Sequence, residues 1–266
     1  MILRVRLSSL VLFAVAAGVA CDKPSVEWNE PVPIDEVSGP SRLVVDSSGR
    51  AAYVIAPPPA VSPPNSPGLC ESSAREIAGT GHIFSAWWNV RRDSSSALEI
   101  ASSADSGKTW SNPLAVDTTD VSSAGCNRPP PSVATVGDDL FVAYSMVAPE
   151  GKGVFFAHSM GAMVHAPVAV IYGDRLVPTA IATDGDDVAV AYEDPNGSRQ
   201  QVGVAFSSAQ GHIFAWHTVV SRGVDIATSP AVALAGRRLA VSWVTRRPTD
   251  TTASRVPQVV RVGRLQ

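Results

Sequence analysis

Four side chains have the character of ligand-binding or catalytic groups and stand where strands meet loops: Arg75, Arg128, Arg175 and Glu193. Guanidiniums converging on one opening would grip an anion with paired N–H donors. A glutamate beside them could move a proton or act as a nucleophile. Hydrolysis of a glycosidic bond by carboxylates needs two of them across a pocket, about 5 to 9.5 Å apart. Asp194 follows Glu193, and Glu71, Glu76 and Glu150 are further acids at loops or strand ends. Tyr192 precedes Glu193, but neighbours in an extended strand point to opposite faces, which is poor geometry for a working pair. No catalytic residue is assigned from the sequence.

The five histidines, His82, His158, His165, His212 and His217, are spread through strands and turns, and their spacing builds no compact metal motif. Asp184-Gly185-Asp186-Asp187 lacks the longer ligand ladder of a calcium loop and fits a hairpin turn. There is no nucleophile elbow, phosphate loop or dinucleotide fingerprint. The expectation is no metal and no cofactor.

The elements that would hold these groups are short strands. Four runs align: 82–87, 139–144, 187–192 and 238–243, each ending in a small residue and then an aromatic, Trp87, Tyr144, Tyr192 or Trp243. A repeat of about 50 residues fits blades of four strands set around an axis. The segments 132–136, 179–183 and 230–234 precede three of the runs as innermost strands. Gly137-Asp138, Asp184-Gly185-Asp186 and Ala235-Gly236-Arg237 make the turns between. Third strands are expected at 97–103, 154–159 and 201–208, and fourth strands at 109–116, 164–171 and 214–220. The aromatics are expected to wedge between blades.

Between a third and a fourth strand stands Ser103-Ala104-Asp105-Ser106-Gly107-Lys108-Thr109-Trp110, which reads S-x-D-x-G-x-T-W. Asp105 can accept from backbone N–H groups of the turn, Gly107 permits a positive φ, Thr109 can bond back and Trp110 can bury its ring. The motif resembles the Asp-box, or BNR repeat, of sialidase-like β-propellers, in which it is a structural staple on the outside of the ring. Ser207-Ser208-Ala209-Gln210-Gly211 looks like a decayed copy, one residue short, and His158-Ser159-Met160-Gly161 like a weaker echo. Sialidases of this fold carry an arginine triad, a tyrosine–glutamate pair, an aspartate acid/base and a Phe/Tyr-Arg-Ile-Pro motif, and this set is not matched here. Asn127-Arg128-Pro129-Pro130 resembles only the Asp-Arg-Pro run that leads into inner strands of many BNR-containing proteins.

The resulting fold class is all-β, a propeller closed by its N-terminal strand. Trp28-Asn29-Glu30-Pro31-Val32-Pro33-Ile34 mirrors Trp110 to Val116, a fourth strand with no first three before it. Residues 230–262 offer three strands and no fourth, so 28–34 would complete the last blade. Residues 41–56 form either a shortened fifth blade or a hairpin added to a four-bladed ring. The proline-rich excursion 57–69 cannot supply regular inner strands. Cys70 and Cys126 precede the first strands of adjacent blades, and pairing them is plausible in an exported chain.

Export is written at the start. Arg4 and Arg6 lead an apolar run from Leu7 to Ala20, too short for a comfortable span. Gly18-Val19-Ala20-Cys21 resembles a bacterial lipobox, which implies cleavage after residue 20, diacylation of Cys21 with further acylation such as palmitate on its amino group, and attachment to the cell envelope facing the periplasm or the exterior. The domains are thus 1–20 signal, 21–27 tether and 28–266 propeller. The net charge of −3 becomes about −5 without Arg4 and Arg6, which excludes a nucleic-acid footprint. The expectation is a monomeric, noncatalytic lipoprotein whose propeller face binds a glycan or envelope protein. The alternative is a divergent, exo-acting, sialidase-like glycoside hydrolase.

Overall fold

The structure, a computed structural model, describes residues 25–35, 37–161, 163–223, 225–247 and 257–266. The expected signal peptide, Cys21 and the first part of the tether lie outside the described residues.

The strands in chain order are β1 (Val26–Trp28), β2 (Val32–Pro33), β3 (Ser41–Val45), β4 (Ala51–Ile55), β5 (Arg75–Ala78), β6 (Ile83–Val90), β7 (Ser96–Ser103) and β8 (Leu114–Asp117). There follow β9 (Ser132–Val136), β10 (Asp139–Ala148), β11 (Gly151–Met160), β12 (Met163–Val164), β13 (Val168–Gly173), β14 (Thr179–Asp184), β15 (Asp187–Glu193), β16 (Val202–Ser207) and β17 (Trp216–Val219). The chain ends with β18 (Ile226–Ala235), β19 (Arg238–Arg246) and β20 (Gln258–Leu265).

They make five antiparallel sheets: β3-β4, β5-β6-β7-β8, β9-β10-β11 with β12 and β13, β14-β15-β16-β17, and β18-β19-β20 with β1 and β2. This is a five-bladed propeller, and residues 41–56 are its shortened blade. The innermost strands follow one another around the axis, β5 beside β9, β9 beside β14, β14 beside β18 and β18 beside β3.

The core explains why the second strands read as continuous apolar runs. Both faces of an interior blade are covered by neighbours, so alternation of polar and apolar residues is lost. Four apolar layers fill the joints. Trp88, Leu98 and Ile100 meet Leu140, Tyr144 and Phe155. Phe141, Val154 and Phe156 meet Val188, Val190 and Tyr192. Val204 and Phe206 meet Val241, Trp243 and Leu265, while Leu43 and Val45 meet Ala240 and Val260. Tyr144, Tyr192 and Trp243 are therefore interblade wedges. Trp87 is likewise fully buried, with its indole Nε1 unpartnered.

The N-terminal segment completes the last blade. Val26, Glu27 and Trp28 pair with Leu265, Arg264 and Gly263, and Val32 pairs with Val260. Val26 and Glu27, expected in the tether, already belong to the sheet. This pairing covers the edge that β20 would otherwise present.

The proline-rich excursion spans the joint between β4 and β5 and is held by side chains. Asn89 Nδ2 donates to Pro67 O at 3.0 Å, and Trp110 Nε1 donates to Ser62 O at 3.2 Å. A Cβ on Gly107 would lie 2.4 Å from Val61. Cys70 and Cys126 are bonded, with Cα atoms 5.4 Å apart and a separation of 56 positions in sequence. A loop of that length is worth about 4 kcal/mol of unfolded-state entropy.

Turns at the other end tie blades together. Asp138 Oδ1 accepts the Gly81 N–H at 2.7 Å, and Asp184 Oδ2 accepts the Gly236 N–H. These aspartates thus hold a neighbouring blade as well as shaping their own turn.

Candidate functional site

The strand-one starts and strand-two ends share one rim of the propeller, and Glu193, the last residue of β15, stands there. The residue is partly buried, and its carboxylate Oε1 accepts the backbone N–H of Ser229 at 3.1 Å on the exposed side. Its other oxygen accepts nothing among the described residues. Ser229 belongs to β18, the inner strand of the next blade, and has a φ of 54°. A register shift between Thr228 and Ala231 marks a bulge there. Pro230 has no N–H for the ladder, so the strand slips at this point, and the bulge turns the Ser229 N–H outward. The sequence expectation began this strand at residue 230; it begins at Ile226 and runs through the bulge.

Arg175 is bound to the loop that follows Glu193. Its Nη2 donates to Asp194 O at 2.6 Å and Gly197 O at 3.1 Å. Tyr192 points away into the interblade core, where its ring crowds Gly203, and burial raises its phenol pKa. The expected opposition of Tyr192 and Glu193 is what the strand shows.

The other two arginines stand at the same end of their blades, Arg75 at the start of β5 and Arg128 on the entry to β9. Arg75 donates to Ala74 O at 2.6 Å and Ser72 O at 3.2 Å, and its partial burial lowers its pKa. Arg128 is not ligand-facing. Its guanidinium side chain is fully buried, paired with Asp120, and bonded to Ser96 Oγ at 3.1 Å, Ser122 Oγ at 2.9 Å and Gly125 O at 2.8 Å. It also lies 4.4 Å from the Trp88 ring centroid. A buried guanidinium needs this many acceptors to offset lost hydration, and none of its reach is left for a ligand.

The Ser103–Trp110 turn has the expected staple geometry. Asp105 Oδ1 accepts the Thr109 N–H at 2.8 Å, and Oδ2 accepts the Thr109 hydroxyl at 2.7 Å. Ser103 Oγ accepts the Gly107 N–H at 2.8 Å, and Ser106 and Gly107 have φ of 61° and 83°. Trp110 is only half-buried, and the strand after it starts at Leu114.

The expectation that 207–211 is one residue short is corrected by its geometry. Ser207 Oγ accepts the Gly211 N–H at 3.1 Å, and Gln210 and Gly211 have φ of 53° and 81°. The turn is full length. Ala209 stands in the place of Asp105, Phe214 in the place of Trp110, and His212 in the place of Lys108.

That turn brings His212 against His158 and His165 of the preceding blade, a grouping the sequence spacing had not shown. The rings of His158 and His165 stack at 4.4 Å and 7°, and His212 stands edge-on at 4.9 Å and 5.3 Å from them. One ligand nitrogen from each lies within 4.8 Å of the other two. Nε2 of His158 and Nε2 of His165 are buried without partners. Burial first, then the neighbouring His165 and His212, press the His158 pKa down to about 4, so the ring is neutral at physiological pH.

A cleft of about 330 Å³ lies where the N-terminal strand meets β17, lined by Trp28, Trp216, Thr218, Arg222 and Arg261 among others. Arg261 lies 5.7 Å from the Trp28 ring centroid and donates to Asn29 O at 2.7 Å. The cleft was not legible from the sequence because it exists only once the two ends of the chain are paired.

No family model matches this chain, and no curated protein does. Solved structures resembling it include a Trypanosoma rangeli sialidase in complex with the inhibitor DANA (TM-score 0.47, 12% identity, 84% of this chain and 39% of that one). A Hadza microbial sialidase aligns at TM-score 0.45 and 16% identity over 68% of this chain and 45% of that one. A Bacillus subtilis arabinanase aligns at 0.40 and 11% over 71% of each chain. The chain spans less than half the length of the two sialidases. The expectation of a noncatalytic binding module without metal-ligating groups is corrected on one finding: the fold assembles a cluster of three imidazoles that could hold a metal ion, where the sequence spacing had shown none.

Proposed function

We propose that this chain is a divergent glycoside hydrolase of the bacterial cell envelope, tethered by lipid on Cys21, with Glu193 as the acid–base carboxylate. The observation that carries this reading is the Glu193–Ser229 contact. A carboxylate is held at the axial rim by a backbone N–H that a bulged, positive-φ residue turns toward it, and bulges of this kind aim groups beside active sites. The fixed N–H orients the carboxylate and leaves its other oxygen for a substrate proton. Asp174, Asp194 and Asp225 occupy loops on the same rim, and one of them supplies the second carboxylate that hydrolysis requires. The Trp28–Trp216 cleft, with Arg222 and Arg261, offers ring faces and cations to an acidic sugar at the outer edge.

Turnover of a panel of fluorogenic glycosides by the purified full-length protein tests the reading. Glu193→Gln lowers kcat by about 10²–10⁴-fold, and one of Asp174→Asn, Asp194→Asn or Asp225→Asn does the same. A wild-type protein inert toward the whole panel, or a fully active Glu193→Gln, contradicts it.

A further inference from the structure

The geometry points to a zinc site at His158, His165 and His212 that clamps two adjacent blades. The three residues come from separate segments. His158 is in β11, His165 lies between β12 and β13, and His212 is in the turn between β16 and β17.

Two observations single this cluster out. The first is proximity, with one ligand nitrogen of each ring within 4.8 Å of the others. The second is the pair of unpartnered atoms. His158 is only 4% exposed, and its Nε2, like that of His165, has neither a hydrogen-bond partner nor contact with solvent. A buried polar nitrogen left unbonded is costly and uncommon, and two in one place call for an occupant. Phe141 and Phe156 stack on His158 at 5.6 Å and 5.7 Å and close the site from the core side.

The donor set selects the ion. Three imidazoles, with no thiolate or carboxylate among them, suit a borderline divalent metal, zinc above all in a tetrahedral site. Zinc–nitrogen bonds of about 2.0–2.1 Å put ligand atoms about 3.3 Å apart on a tetrahedron. The rings therefore close in by up to about 1.5 Å and tilt out of parallel stacking. His212 is exposed and sits on a turn, so it supplies most of that movement. The exposed side leaves the fourth position to water.

The position defines the role. His158 pairs with Phe141 near the start of β10, whereas Glu193 ends β15, so the two sites lie at opposite ends of the propeller. The metal does not serve the Glu193 chemistry. It locks the joint between the 132–173 and 179–219 blades, as the Cys70–Cys126 bond links the two blades before it.

Zinc content and thermal unfolding of the full-length protein, purified without a polyhistidine tag and stripped with EDTA, test the proposal. Dialysis against zinc is expected to leave one ion per chain. It should raise Tm by about 5–10 °C once zinc exceeds its Kd about 100-fold. His212→Ala, at an exposed position, should weaken zinc binding at least tenfold and abolish the Tm response. His217→Ala, outside the cluster, should keep both. Zinc uptake by wild type no greater than by His212→Ala overturns the site and leaves a water between the rings as the occupant, and uptake without a change in Tm overturns the clamp.

Discussion

Trp28 lies opposite Gly263 across the seam between the first strand and the last. A Cβ built on Gly263 would stand 2.9 Å from the Trp28 ring and 2.2 Å from Val26 Cγ1. The ring seats where no side chain opposes it, and this contact holds the two ends of the chain in one blade.

Gly263→Ala should therefore strain the clasp without altering any other blade. Overpacking of this kind costs about 1–3 kcal/mol. Chemical denaturation should show that loss with an unchanged m-value. Gly263→Val should cost more and should bring concentration-dependent association, because the displaced segment bares the β20 edge. Unchanged stability of both variants would contradict the seam.

Arg128→Ala should be among the most damaging single changes in the chain. It leaves the Asp120 carboxylate buried with its charge unpaired, since both side chains are fully inaccessible. Removal of one partner of a buried pair costs about 3–5 kcal/mol. Replacing both, as Arg128→Met with Asp120→Leu, should recover part of the loss. A double variant no more stable than Arg128→Ala would show that the other acceptors around Arg128 matter more than the ion pair.

The Asp105 carboxyl is held at about 2, first by the Thr109 hydroxyl and then by the Thr109 N–H and the Ser103 hydroxyl, against an ordinary aspartate value of 3.8. The unfolded chain takes up this proton first as pH falls. The stabilisation is thus complete above about pH 4 and is lost as pH drops through about 2. Asp105→Ala should have a lower Tm than wild type at neutral pH. The gap should narrow between pH 4 and pH 2. A gap independent of pH over that window would assign the loss to packing.

Most of the ring was legible in the sequence, and the reasons are specific. Runs such as Val188 to Tyr192 repeat because each second strand is enclosed by a blade on either side, and Trp28-Asn29-Glu30-Pro31 echoed Trp110-Ser111-Asn112-Pro113. The disulfide followed from equivalent positions on adjacent blades. The histidine cluster was hidden because its members come from two blades, and His212 sits in a turn whose acid has become Ala209. Aligning Gly211 with Gly107 would have exposed that turn. Arg128 misled because a strand-entry arginine looks the same in sequence whether it faces a ligand or a buried Asp120. The bulge at Ser229 carried one signal, the Pro230 that cannot serve the ladder.

Chemical rescue of Glu193→Ala tests the functional account most directly. On an activated aryl glycoside that the wild type cleaves, the variant should lose about 10²–10⁴-fold in kcat. Formate, a small carboxylate that fits the vacated space, should restore at least tenfold of it. A variant as active as wild type, or one whose lost rate formate leaves unchanged while Glu193→Asp is equally inactive, would remove Glu193 from the chemistry.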